Sequence, residues 1–203
     1  MISLSDQSHY PGYNVLEQAE AWDEHSREIV KRRLESTPEF QFFNCREAEL
    51  FGAVAATIID DQRPAIVNYI SGHADNRLAG KIGESQRKVE TPPESQLIRN
   101  GLKAIDFTAK NDYQKPFNEL TPAQRQNILG RVERGELPNS GPWQGLPQKD
   151  LFAKILNLSV EAYYSHPTVW SEIGYGGPAY PRGYVRVELG LIDPWEARSL
   201  EEC

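Results

Sequence analysis

The chain has 203 residues, of which 39% are hydrophobic and 25% are charged, and its formal net charge is -7 at pH 7. A chain of this length and composition can bury enough apolar surface to fold without disulfide bonds or structural metal ions. The negative charge repels phosphate backbones and anionic lipid headgroups, which argues against nucleic-acid binding.

Neither a leader nor a membrane anchor is expected from the sequence. The first twenty residues lack the apolar core of a signal peptide and contain no Arg-Arg pair. No stretch approaches the roughly 20 apolar residues that span a bilayer. We therefore expect a cytoplasmic protein, or a periplasmic one if a partner carries it. The two cysteines, Cys45 and Cys203, are expected to be free thiols, although the sequence leaves their pairing open.

Helical patterns follow one another along the chain. A polar helix is predicted over residues 16–34, where only a few apolar side chains recur. Asn44 stands three positions before Glu47, the spacing of a capping box, and predicts a helix that begins near Cys45. Residues 64–79 show apolar side chains at helical intervals, although Gly72 weakens the pattern.

Three further helices are predicted in the second half of the chain. Thr91 precedes two prolines and Thr121 precedes one, and proline at the first helical position has no N–H group to leave unbonded. Each threonine is therefore predicted to cap a helix. Another helix is expected after Pro147, and His166 before Pro167 is interpreted as a structural residue at its end.

The predicted fold class is mainly α, because no stretch alternates with the period of a strand. We expect a compact helical domain of about five to six helices with a long, irregular C-terminal tail rich in glycine, proline and aromatic residues. The single domain, residues 1–203, is predicted to consist of an N-terminal extension (1–40), a helical core (41–166) and the tail (167–203).

The tail combines residues that break regular structure with large aromatic rings. Between residues 173 and 195 there are five glycines and three prolines, and tyrosine and tryptophan are interleaved with them. Flexible linkers lack such rings, so the tail is expected to pack on a surface. That surface could belong to this chain or to another protein, and the residues alone leave both possibilities open.

No catalytic, metal or cofactor site emerges from the motifs. The glycine-rich run at residues 174–177 follows a helix and precedes Pro178 and Pro181, whereas a dinucleotide-binding loop lies between a strand and a helix. The sequence lacks the G-x-S-x-G motif of serine hydrolases. None of the histidines has a second histidine or a cysteine two to four positions away, and they are His9, His25, His73 and His166.

Several spaced motifs resemble the gluconate 2-dehydrogenase subunit 3 family. The strongest is the run from Ala162 to Pro178, with its histidine–proline pair and its glycine-rich end, followed by residues 181–184. Residues 101–106 resemble the family's GLxALD helix, and residues 117–126 resemble its FxxLxxxxQ helix start. The opening of the first core helix, residues 42–47, and the N-terminal residues 10–16 are also similar.

The resemblance implies the small, non-catalytic subunit of a bacterial sugar-oxidising complex. In that family the large subunit is an FAD-dependent dehydrogenase of the glucose-methanol-choline (GMC) class, which holds the flavin and the catalytic residues. Some members also work with a membrane-bound cytochrome subunit. The small subunit assists folding, export or stability, often through a twin-arginine signal that this sequence lacks. No cofactor, metal or catalytic residue is therefore expected in this chain.

We predict that the tail binds the partner, because tyrosine, tryptophan and arginine dominate the binding energy of interfaces. The alternatives are a free-standing oxidoreductase, which would hold its own flavin or metal, and a general chaperone, which would bind unfolded flavoprotein transiently. The predicted partner-binding residues are Tyr163, Trp170, Tyr175, Tyr180, Arg182, Tyr184 and Trp195.

Overall fold

The computed structural model describes residues 8–35, 38–80, 91–185, 188 and 190–198. These residues form two compact units. The helical unit consists of residues 38–80 and 91–163, and the terminal unit combines residues 8–35 with the described residues from 164 onward. Cys203 and residues 81–90 lie outside the described residues.

The described residues contain seven α-helices, three short 3-10 helices and no strand, so the prediction of a mainly α fold is confirmed. The α-helices are α1 (Glu24–Glu35), α2 (Cys45–Ile59), α3 (Pro64–Ala79), α4 (Glu94–Tyr113), α5 (Pro122–Arg134), α6 (Gln148–Tyr163) and α7 (Pro167–Ile173). The 3-10 helices are Val15–Ala21, Phe117–Glu119 and Gly141–Trp143.

Two of the predicted helix caps are confirmed. The Asn44 side chain accepts a hydrogen bond from the Glu47 N–H at 2.9 Å, and the Glu47 carboxylate accepts one from the Asn44 N–H at 3.1 Å. Thr121 and Gln124 form the same capping box at the start of α5. Because both reciprocal hydrogen bonds of each capping box are present, α2 and α5 have well-defined beginnings.

The cap predicted at Thr91 is wrong. Helix α4 begins at Glu94, and Pro93 occupies its N-cap position without a side-chain hydrogen bond. The two prolines keep the backbone extended up to Pro93, since a residue before proline disfavours the helical region. Thr91 therefore lies too early in the chain to reach the N–H groups of the first turn.

The core of the helical unit surrounds α2, which packs against α3, α4, α5 and α6. Apolar side chains of α4 are fully buried there, including Leu97, Ile98 and Ile105. Gly101 lies so close to the Leu151 side chain that a Cβ atom at position 101 would overlap it. A glycine is therefore needed where α4 and α6 approach each other.

The helix predicted over residues 16–34 is divided in the structure. A 3-10 helix covers Val15–Ala21, and α1 begins at Glu24 after an extended residue, Trp22 (φ -91°, ψ 153°). The Asp23 carboxylate accepts a hydrogen bond from the Ser26 N–H at 3.1 Å, and bonding to Ser26 lowers the pKa of Asp23. Trp22 is only 3% exposed, so its burial in the terminal unit outweighs the continuity of the helix.

The tail is less irregular than predicted, because α7 occupies Pro167–Ile173. His166 is its N-cap, and Nδ1 of the imidazole accepts a hydrogen bond from the Thr168 N–H at 3.2 Å. His166 thus begins a helix that we did not predict, rather than ending the preceding one. Helix α7 ends at Ile173, and its C-cap is Gly174, whose φ of 75° suits glycine. No helix or strand follows among the described residues.

Candidate partner-binding surface

The glycine motif, which we define as residues 174–177, is covered by aromatic rings. A Cβ atom at Gly174 would lie 2.5 Å from Cε2 of Tyr10, and one at Gly177 would lie 2.5 Å from Cζ2 of Trp22. At Gly176 a Cβ atom would overlap the Trp195 ring. The open side of each of these three glycines is thus filled by the protein itself, and the motif does not form a cradle for a phosphate group.

Tyr13 joins two distant parts of the terminal unit. Its hydroxyl group donates a hydrogen bond to the carbonyl oxygen of Trp195 at 2.8 Å and lies 3.4 Å from that of Tyr175. Burial raises the pKa of the Tyr13 phenol, an effect that Arg182 partly opposes and Glu196 reinforces. The phenol is therefore protonated at neutral pH and able to donate.

Arg182 is bound to its own segment of the chain. Its Nη2 atom donates to the carbonyl oxygens of Gly176 at 2.7 Å and Pro178 at 3.0 Å. The guanidinium carbon lies 4.4 Å from the centre of the Trp195 ring, within the range of a cation–π contact. Burial lowers the pKa of Arg182, and the neighbouring Tyr13, Tyr175 and Asp193 oppose this effect.

Trp170 is buried, with 7% of its surface exposed. Its indole N–H donates to the Tyr164 carbonyl oxygen at 2.6 Å, and its ring meets Tyr175 edge to face with 5.3 Å between the centroids. The guanidinium carbon of Arg33 lies 5.4 Å from the centroid of the Trp170 ring. Trp170 therefore belongs to the core of the terminal unit, together with Trp22.

Three tyrosines project from this framework. Tyr180 is 71% exposed, Tyr184 is 64% exposed and Tyr175 is 38% exposed. Exposed aliphatic residues of the same segment add to the apolar area that faces solvent, and they are Ile173, Val185, Leu191 and Ile192. We call these seven residues the aromatic surface. Large exposed apolar side chains in one short segment are typical of interaction sites.

The buried Asp193 fixes the second half of this segment. Its Oδ1 atom accepts a hydrogen bond from the Val185 N–H at 2.8 Å, and its own N–H donates to the Glu196 carboxylate at 2.9 Å. In addition, the Ala197 N–H donates to the Gly174 carbonyl oxygen at 3.2 Å. Residue 185 is therefore tied to residue 193, and residue 174 to residue 197, although the described residues of this segment after α7 form no helix or strand.

The seven predicted partner-binding residues fall into three groups, which differ in exposure and in the contacts they make. Tyr175, Tyr180 and Tyr184 belong to the aromatic surface, whereas Trp170, Arg182 and Trp195 make the internal contacts that hold it. Tyr163 is half-buried and ends α6 in the helical unit.

Sequence reasoning missed the aliphatic part of the aromatic surface, whose members lie among glycines and prolines without a periodic pattern. It also missed the contacts of Tyr10, Tyr13 and Trp22 with the tail, because no local signal connects segments so far apart in the chain.

The described part of the chain contains neither a cluster of metal ligands nor a helix that could span a membrane. No group of three or more His, Cys, Asp or Glu side chains there could hold a metal ion. Likewise, none of the helices that the structure describes has both the length and the apolar character needed to cross a membrane.

These features define a class of protein: a mainly α-helical chain whose tail is held by aromatic and hydrogen-bonded contacts and displays an apolar surface. The sequence model of the family described as gluconate 2-dehydrogenase subunit 3 matches residues 45–177, more than half of the chain. The chain belongs to this family, as its motifs predicted. Comparisons with curated proteins and with solved structures gave no match.

The matched range includes helices α2 to α7 and the glycine motif. It does not include the N-terminal residues 8–35, nor the part of the aromatic surface that carries Tyr180 and Tyr184. The match to the family therefore covers most of the helical unit and the beginning of the tail.

Proposed function

We propose that this chain is a non-catalytic small subunit that binds an FAD-dependent sugar or gluconate dehydrogenase of the GMC class and stabilises it or assists its maturation. The observation that carries the proposal is the exposure of Tyr180 and Tyr184 on a segment whose described residues are held to one another by hydrogen bonds. The family supports it, since its name describes a subunit of a dehydrogenase complex.

The composition of the tail suits a protein interface. Interfaces are enriched in tyrosine, tryptophan and arginine and are poor in lysine. The sequence contains no lysine after Lys154, whereas tyrosine, tryptophan and arginine recur up to Arg198. Tyrosine also provides a large contact area with few rotatable bonds, so little conformational entropy is lost when it is immobilised.

The internal contacts of the tail lower the free-energy cost of binding. A disordered segment must be ordered when it binds, which subtracts from the affinity. Here Arg182 already bonds to the carbonyl groups of Gly176 and Pro178 and stacks on Trp195. We propose that Trp170, Arg182 and Trp195 act by holding the aromatic surface, whereas the exposed tyrosines contact the partner.

The remaining predicted residue, Tyr163, is proposed as a contact of the helical unit, where it is half-buried at the end of α6. The flavin belongs to the partner under this proposal. The glycine motif of this chain is filled by Tyr10, Trp22 and Trp195 and offers no phosphate site.

Co-expression with the GMC-type flavoprotein of the source organism tests the proposal. The two chains should elute together from a sizing column, and after separation the flavin absorbance should remain with the large subunit. Flavin bound to the isolated chain, or sugar oxidation by it, would support a free-standing oxidoreductase instead. Binding to unfolded flavoprotein alone, with no stable complex, would indicate a general chaperone.

A further inference from the structure

We infer that residues 8–22 form an intramolecular brace that fixes the path of the aromatic surface, so that affinity for the partner depends on residues outside the contact itself. This inference rests on the proposed function and deepens it by adding Tyr13 as a positioning residue. The brace precedes the range that matches the family, residues 45–177.

The brace meets the tail on both sides of the exposed tyrosines. The single hydroxyl group of Tyr13 lies 3.4 Å from the Tyr175 carbonyl oxygen and donates to that of Trp195 at 2.8 Å. Tyr180 and Tyr184 lie between these two positions in the chain. Tyr13 therefore links the beginning and the end of the loop that carries them.

Neighbouring residues of the brace support the same arrangement. The Val15 N–H donates to the Ser171 hydroxyl oxygen in α7 at 3.1 Å, and Val15 is fully buried. The Trp22 ring fills the space beside Gly177. Val15 and Trp22 are both buried, so neither side chain is available to contact a partner directly.

The brace reduces the conformational freedom of the loop by holding its two ends together. Tying the two ends of a loop removes much of its conformational freedom before any partner is met. The backbone bond from Ala197 to Gly174 makes one such tie, and Tyr13 makes a second one through its side chain. Without the Tyr13 hydrogen bond, part of the loop would become ordered only when the partner binds, and this entropic cost would weaken the affinity for the partner.

The variant Tyr13→Phe tests the brace, because it keeps the ring and removes only the hydroxyl group. Two quantities are measured: amide hydrogen exchange of residues 175–185 in the isolated full chain, and affinity for the co-expressed GMC flavoprotein. We expect exchange to be about fivefold faster and binding about fivefold weaker, the effect of one ordinary hydrogen bond. Tyr113→Phe is the control, since Tyr113 is also half-buried and its hydroxyl donates to Asn127 at 3.4 Å in the helical unit.

A second pair of variants perturbs the brace from the side of the tail. Gly177 and Gly190 both have positive φ angles, 78° and 86°, so alanine is strained in the backbone at either position. A Cβ atom at 177 would meet Trp22, whereas one at 190 would meet nothing within 4 Å. Gly177→Ala should therefore speed exchange and weaken binding by at least about tenfold more than Gly190→Ala.

The outcomes separate the two proposals. Unchanged exchange in both Tyr13→Phe and Gly177→Ala would show that the brace does not fix the loop. Faster exchange with unchanged affinity would overturn the link between the brace and partner binding. If the unaltered chain fails to bind the flavoprotein, the proposed function is wrong, and so is the claim that the brace affects affinity. The exchange measurement still decides whether the brace exists.

Discussion

At Gly174, Gly176 and Gly177 the chain has no Cβ atom, and a ring of Tyr10, Trp195 or Trp22 occupies that space. A glycine-rich run that resembles a phosphate-binding loop in sequence therefore serves aromatic packing. The residues after the glycines distinguish the two: a phosphate site needs a helix N-terminus, whereas here Pro178 and an irregular segment come next. Two of these rings, Tyr10 and Trp22, belong to the brace, so the brace packs directly against the backbone of this motif.

Two tyrosines of the terminal unit should make the protein less stable at alkaline pH. Burial raises the pKa of both Tyr13 and Tyr175, so above the ordinary phenol pKa the folded chain retains protons that the unfolded chain has lost. Between the unfolded value, about 10, and the higher folded values, raising the pH therefore favours unfolding. Well below about pH 10 these two groups should contribute no pH dependence.

Denaturant unfolding followed by tryptophan fluorescence at a series of pH values above neutrality measures this effect. We expect the free energy of unfolding to fall as the pH rises above about 10, and to fall less steeply in Tyr13→Phe, which lacks one of the two phenols. An identical slope in the variant and the unaltered chain would show that Tyr13 is not protected in the folded state.

At the scale of the elements, the beginnings of the helices rest on short local motifs. Thr121 caps α5 together with Gln124, and Pro122 occupies the first helical position. We expect Thr121→Ala to lower the free energy of unfolding by about 1 kcal/mol, since a capping side chain typically contributes that much. Urea denaturation of the full chain measures the change.

Gln126→Ala provides the control for this prediction, because Gln126 is exposed in the same helix and plays no part in the cap. It should leave the free energy of unfolding within about 0.5 kcal/mol of the unaltered value. Equal effects of the two substitutions would mean that the capping box contributes no stability of its own.

The helices of the helical unit could be predicted because their signals are local. The spacing of apolar residues indicated residues 64–79, and α3 covers Pro64–Ala79. Trp143 is an example of a residue that local signals do not place: its indole N–H donates to the buried Thr108 hydroxyl at 2.9 Å. That contact joins residues from different elements, and no pattern near Trp143 indicates it.

The terminal unit was harder to predict for the same reason. Helix α7 has seven residues, too few to show a helical period in the sequence. Trp22, where the predicted helix breaks, fills the space beside Gly177, and the bond from Tyr13 to Trp195 joins residues 182 positions apart. The aromatic residues of the tail could be identified from composition. Their division into exposed and supporting residues could not, since it follows from these long-range contacts.

At the scale of the whole molecule, the chain combines a helical unit with a core typical of a stable domain and a terminal unit that displays an apolar surface. Isolated apolar side chains on a surface are ordinary, but several exposed ones in one short segment are typical of a binding site. The family match covers the helices α2 to α7 and the glycine motif, while Tyr180 and Tyr184 lie beyond it. We therefore expect the choice of partner to depend on the residues that lie beyond the match.

The most direct test of this account is the affinity of the purified full chain for the GMC-type flavoprotein, compared between the double variant Tyr180→Ala/Tyr184→Ala and the control Phe107→Ala. Phe107 is 49% exposed on α4 of the helical unit, so it is a large exposed ring like the tyrosines but lies outside the aromatic surface. The account predicts a loss of about thirtyfold or more for the double variant, equivalent to ~2 kcal/mol, and nearly unchanged binding for the control. Unchanged binding by the double variant would contradict the account.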